Sequence, residues 1–153
     1  MIHLLMQFIL ALLATGGFCV IFRVPIRHIS VCALIGAFGW LTEEIAVFYY
    51  SSPAIGCFLG ACTVGLLSTI ASRLFKDAST IFVIPGILCL VPGLKIFNTM
   101  YTLLKEDVPG AAQIGTETLM MAGSIAVGLL TVGAVLRVFF SLAKKTVTLR
   151  DKF

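Results

Sequence analysis

Five long apolar runs divide the chain, and most charged residues gather in the short gaps between them. The runs cover roughly residues 4 to 22, 29 to 50, 54 to 72, 80 to 104 and 117 to 140. Each is about 20 residues long, the length a helix rising about 1.5 Å per residue needs to cross a hydrocarbon core about 30 Å thick. The pattern predicts an all-α membrane protein of about five transmembrane helices, forming a single transmembrane domain over residues 1–153.

The fourth run differs from the others. The stretch ASTIFVIPGILCLVPGLKIFNTMYTLL, residues 78–104, carries Pro85-Gly86 and Pro92-Gly93, with Lys95 just past the second pair. A proline removes a helical hydrogen bond and crowds the preceding turn, while a glycine lets the backbone leave the helical region. Hydrocarbon offers the freed backbone groups no partner, so a broken span belongs where it is packed in protein or lines a wet cavity. In transporters such breaks commonly hold the substrate.

Composition sharpens the class. The chain is 59% hydrophobic and 12% charged, with a mean hydropathy of +1.10. A soluble domain carries roughly 25% charged residues, so the reading is a multi-pass protein of the cell (inner) membrane. The first run has no basic segment before it and is too long for the core of a secretion signal, so it is read as a mature span.

The basic residues alternate from side to side. Arg23 and Arg27 follow the first run, Arg73 and Lys76 the third, and Lys144, Lys145, Arg150 and Lys152 the fifth. On the other side Ser51-Ser52-Pro53 is uncharged and Lys105 is offset by Glu106 and Asp107. The positive-inside rule then places the N-terminus outside and the C-terminus in the cytoplasm. Folding 80–104 back as a re-entrant hairpin would put the basic tail and the first two basic gaps on opposite sides, which favours five crossings. The net charge of +4 comes largely from these gaps and implies no nucleic acid.

An odd number of crossings suits pairing with a companion unit of opposite orientation, a recurrent transporter plan. Five short spans also make a small bundle, so a larger membrane partner or self-association is expected. Gly56 and Gly60 form a G-x-x-x-G, and Ala122, Gly123, Ala126, Gly128 and Gly133 keep one side of the last span small. Such residues let helices approach closely, within one chain or between chains.

Two stretches resemble a known family. Phe22 to Trp40, FRVPIRHISVCALIGAFGW, is similar to the F-x-x-P-x-R, apolar run and G-x-x-G of the second membrane domain of the threonine/serine exporter family. Ile81 to Leu104 resembles that domain's Pro-Gly-rich broken helix leading into a Tyr-containing one, with Val91-Pro92-Gly93 and the Pro25/Arg27 pair the most specific parts. The resemblance implies the domain as a separate small subunit working with a larger one. It also implies export of threonine and serine or, in two-subunit members, of dicarboxylates such as succinate. Lys95 departs from the small or neutral residue expected at its position.

The residues themselves are compatible with a carboxylate, within the small carboxylate or amino-acid substrates that the resemblance implies. If helix resumes after Pro92 and Gly93, then Lys95, Asn98, Thr99 and Thr102 recur every three or four residues and form a polar stripe. The unpaired amides at the start of that half-helix add partial positive charge, which Lys95 strengthens. Against cavity lining stands the reading that Lys95 snorkels to the interface while the stripe packs on neighbouring helices. Glu43 and Glu44, about 100° apart on a helix, cannot share a face. One facing the bundle interior is a candidate proton carrier, the alternative being a wet vestibule beside the Tyr49-Tyr50 belt. Glu117 reads as interfacial.

Arg23, Pro25 and Arg27 make a tight cytoplasmic turn that orients the chain, or else serves as a gate or anion-collecting mouth. His28 beside it is a weak signal. The five cysteines are scattered in apolar runs without C-x-x-C spacing, and two histidines far apart suggest no metal site. No cofactor motif or catalytic constellation is present, so an enzyme is a distant third reading. The first two are a secondary-transporter subunit and a non-transporting scaffold or assembly subunit.

Overall fold

Each apolar run folds as helix, and the residues in the gaps set where each helix stops. The computed structural model describes the backbone of residues 2–150 and the side chains of residues 4–139. The side chains of His3, Lys144, Lys145, Arg150 and Lys152, used in the sequence reading, lie outside the described ones. Among the described residues there are six helices and no strand: α1 (Ile2–Ile21), α2 (Ile26–Tyr50), α3 (Pro53–Phe75), α4 (Thr80–Leu88), α5 (Gly93–Leu104) and α6 (Val108–Arg150).

Pro53 opens α3 in the first turn, where an amide would have no helical acceptor. Past the ends of α1, α2, α3 and α5, the chain turns through a left-handed residue: Arg23 (φ 52°), Ser51 (φ 51°), Lys76 (φ 57°) and Glu106 (φ 63°). No described glycine has positive φ, so the glycines of this chain act by being small rather than by bending the backbone.

α2 is the hub. It packs against α1, α3 and α4, and α3 in turn packs against α4 and α6. Cys32 and Ile35 of α2, Cys57, Ala61 and Val64 of α3, and Phe82 of α4 share the buried core with Leu90 just beyond α4. Among the described residues four helices are long and apolar enough to cross a membrane, and α4 with α5 supplies a fifth crossing if the bent pair is one span.

That pair breaks at one of the two predicted places. α4 continues through Pro85-Gly86 to Leu88, and the chain leaves the helix at Cys89 to Pro92 before α5 starts at Gly93, with the halves bent by 48°. Gly86 is buried, and a Cβ there would sit 3.0 Å from Val64 Cγ1 and 3.4 Å from Ile35 Cγ2. The first pair therefore seats α4 closely on the core, and the second pair marks the break.

α6 begins earlier than the pattern suggests, at Val108 rather than near residue 117. The Val-Pro-Gly sequence reads as loop, yet Pro109 falls in the first turn, and the Gly110 amide donates to Asp107 Oδ1 at 3.1 Å. The helix has 43 residues, about 65 Å at 1.5 Å per residue and roughly twice the hydrocarbon thickness. Ala111, Thr118, Met121, Ile125, Gly128 and Val132 form its buried face at spacings of three and four or their sums. A Cβ at Gly128 would meet the Phe58 carbonyl at 2.8 Å, so glycine lets α6 lie directly on α3. Gly128 faces Phe58 and Ala61 while Met121 shares a cleft with Ala54, so α6 runs parallel to α3 and residues 108–119 extend beyond its start. Of the other helices, α5 packs against α6 alone.

Candidate functional site

The break is held by side-chain loss on both neighbours. Leu90 fills the space left by Gly39 of α2 and Gly60 of α3, where a Cβ would stand 3.4 Å from Leu90 Cδ1 and 2.7 Å from Leu90 Cδ2 respectively. A Cβ at Gly60 would also meet the Gly39 carbonyl at 3.0 Å and Glu43 Cβ at 3.2 Å. Of the G-x-x-x-G pair, Gly56 likewise faces Glu43 and Val47 of α2. The motif thus acts within the chain, whereas Gly123 and Gly133 of α6 have nothing within 4 Å of a built Cβ.

Glu43 lies at this crossing. It is buried, accepts a hydrogen bond from Cys57 Sγ at 3.2 Å through Oε1, and keeps Oε2 buried without a partner. Glu44, the next residue, is half-buried on another face. Burying a carboxylate without a cation is costly, and the unpartnered Oε2 leaves that cost uncompensated within the chain.

Where α5 resumes, Lys95 Nζ donates to Glu117 Oε2 of α6 at 2.8 Å. The pair flanks a cleft of about 240 Å³ lined by Ser52, Pro53 and Ala54 from the start of α3, with Met120 and Met121 from α6. Residues from the start of α3 and from the start of α5 thus share one cleft, although the two helices do not pack on each other. Lys95 is partly shielded, with its side chain 32% exposed, so it neither projects freely to the interface nor stands alone.

The other predicted members of the stripe divide. Thr99 and Thr102 are half-buried, and Thr99 is used structurally: its hydroxyl donates to the Lys95 carbonyl at 2.8 Å and its methyl meets Gly115 of α6. Asn98 is exposed, Pro92 precedes α5 as its cap residue, and Gly93 is exposed with no neighbour within 4 Å of a Cβ. Of these six, the described cleft lining includes Lys95. The sequence reading missed Glu117 as its partner. The signal was a single acid at the head of the last apolar run, across a helical hairpin from the lysine just after the break.

At the far end of the bundle Arg23 and Pro25 line a separate cleft of about 270 Å³ with Thr80, Ile81, Ile84 and Pro85 of α4. Arg27 Nη2 pairs with Asp77 Oδ2 of the α3–α4 loop at 2.9 Å. His28 is fully buried, with Nε2 2.8 Å from the same oxygen and its ring edge-on to Phe75 and Phe82.

A multi-pass helical bundle with a discontinuous helix, a buried carboxyl beside the break and a charge-paired cleft where helix resumes has the plan of a membrane transporter. Residues 7–135 match the family model described as Threonine/Serine exporter, ThrE, and the chain belongs to that exporter family. An uncharacterized protein of Haemophilus influenzae (strain ATCC 51907 / DSM 11121 / KW20 / Rd) is 23% identical over 105 residues, 69% of this chain and 35% of the relative. The matched part is about a third of that relative's length. No solved structure matches the chain.

Proposed function

We propose that this chain is the small subunit of a secondary transporter of the cell (inner) membrane that exports small amino acids, threonine and serine foremost. The observation that carries the reading is the Lys95–Glu117 pair over its cleft. A lysine alone would favour a second negative charge, and hence a dicarboxylate such as succinate. With Glu117 at 2.8 Å the site offers one positive and one negative partner, which matches an α-carboxylate and an α-ammonium. The pair closes on itself when empty, and a zwitterion replaces both contacts at once without leaving either charge unmatched.

Glu43, one turn along α2 from the Gly39 that faces Leu90 of the break, supplies a place for the coupling proton, with Glu44 half-buried on another face. The alternating basic residues support an external N-terminus and a cytoplasmic C-terminus, so the Lys95 cleft faces outward. A larger membrane partner belongs to this reading as part of the two-subunit plan that the family resemblance implies.

Counterflow of labelled threonine, serine and succinate, with the chain reconstituted beside the membrane protein encoded next to it, tests the reading. Lys95→Met should depress all three. Glu117→Gln should shift preference toward succinate relative to threonine by about tenfold, the worth of roughly one charged hydrogen bond. Wild-type counterflow of all three substrates in both variants would leave the scaffold reading as the better one.

A further inference from the structure

The cluster at the opposite end of the bundle contains a conflict. Arg27 Nε stands 2.7 Å from His28 Nε2, and His28 Nε2 stands 2.8 Å from Asp77 Oδ2. An imidazole nitrogen cannot accept from the guanidinium and donate to the carboxylate at the same time. One of the contacts is therefore always a weak one. The other ring nitrogen, Nδ1, is buried without a partner. A fully buried polar group left unsatisfied makes the closed arrangement easier to release than a completed network would be.

The position of the cluster gives that instability a use. Arg27 and His28 are on the first turn of α2, the helix that packs on α1, α3 and α4. Asp77 is three residues before α4, the buried half of the broken helix, and its carbonyl accepts from Ser72 Oγ of α3 at 2.6 Å. The carboxylate thus ties the start of α2 to the loop that launches α4. Just inside lie Cys32 and Cys19, both with no exposed surface, and Cys32 Sγ points to the Ile81 carbonyl of α4 at 3.7 Å. Anything that parts α4 from α2 at this end uncovers Cys32.

We propose that Asp77, Arg27 and His28 form the latch of an inner gate. Asp77 is a positioning residue that holds α4 against α2, and its release opens the junction above Cys32 to the cytoplasm. The inference rests on the transport reading for its purpose, but its test does not need a substrate. With the latch closed, Phe75 and Phe82 flank His28, and neither His28 nor Cys32 has exposed surface. With it open, Arg27, whose side chain is already 69% exposed, moves fully into water.

The test is the rate at which an impermeant maleimide, added from each side separately, modifies Cys32 in a chain whose other four cysteines are alanine. Asp77→Asn should raise the rate about tenfold from the Arg27 side, the opening expected when a charged acceptor is lost. Asp77→Glu should restore protection. In the matching chain that keeps Cys57 alone, the rate should stay unchanged. An unaltered Cys32 rate in Asp77→Asn would overturn the latch, and so would an equal rise at Cys57, which marks general loosening. If Asp77→Asn does not insert, Arg27→Gln removes the same ion pair from its exposed side, with the same two outcomes. Because labelling reads the seal itself, a chain that fails to move threonine leaves this test intact.

Discussion

α4 and α5 belong to one apolar stretch and are treated by the rest of the molecule in opposite ways. α4 buries Phe82, Pro85 and Gly86 among α1, α2 and α3, whereas α5 buries no residue completely and rests on α6 alone. Leu94, Phe97, Tyr101 and Leu104 stand along the exposed side of α5. The half that could be fixed by packing is fixed. The half that carries Lys95 is hung on a hairpin, with its charge neutralised across that hairpin by Glu117. A broken helix of this kind has an anchor and an arm, and the break between them is where motion of one relative to the other concentrates.

Truncating one aromatic on each side should separate the halves most strongly. Phe82 has no exposed surface and touches the rings of Phe75 and His28. Its replacement by alanine should lower stability by about 3 kcal/mol, the low end for such a truncation, because lipid is as apolar as the core and only the packing loss remains. Phe97→Ala, at a position 64% exposed, should stay within about 0.5 kcal/mol. Thermal unfolding in detergent, followed for both variants, checks the difference. Equal shifts would mean that α5 is anchored as firmly as α4.

A smaller effect is expected at the glycines around the break. Gly60→Ala pushes a methyl toward Leu90 and the Gly39 carbonyl, and should cost about 1–3 kcal/mol by overpacking. Gly93→Ala meets nothing within 4 Å and should change stability by no more than about 0.5 kcal/mol. The same unfolding measurement applies. A reversed order would show that the break is held from the α5 side.

Much of this fold was legible in the sequence for a simple reason: a bilayer fixes helix length, so the first three apolar runs gave α1, α2 and α3 within a few residues. The break was legible as a place but not in its detail. Two Pro-Gly pairs carry the same local signal, and only the packing of Gly86 against Val64 and Ile35 shows that the first one does not interrupt the helix. The start of α6 was hidden because Pro109 and Gly110 read as loop until Asp107 is seen to cap them. The site was half legible. Lys95 stood out as an ion in an apolar stretch and Glu43 as a carboxyl in a span. Their surroundings depend on helix pairing, as do the links from Lys95 to Glu117 and from Arg27 to Asp77, 22 and 50 residues apart, which no periodicity encodes.

The central claim is that a zwitterion lies in the cleft where α5 begins, held by Lys95 and Glu117. A cysteine in place of Ala54, which lines that cleft, reports on it directly in a chain whose native cysteines are alanine, reconstituted with its membrane companion. The measurement is the rate of modification by an impermeant thiol reagent, with and without saturating threonine. Threonine should slow labelling in the chain with both charges intact and have no effect when Lys95→Met and Glu117→Gln are combined. Protection that persists in the double variant, or is absent when both charges are present, would contradict the account.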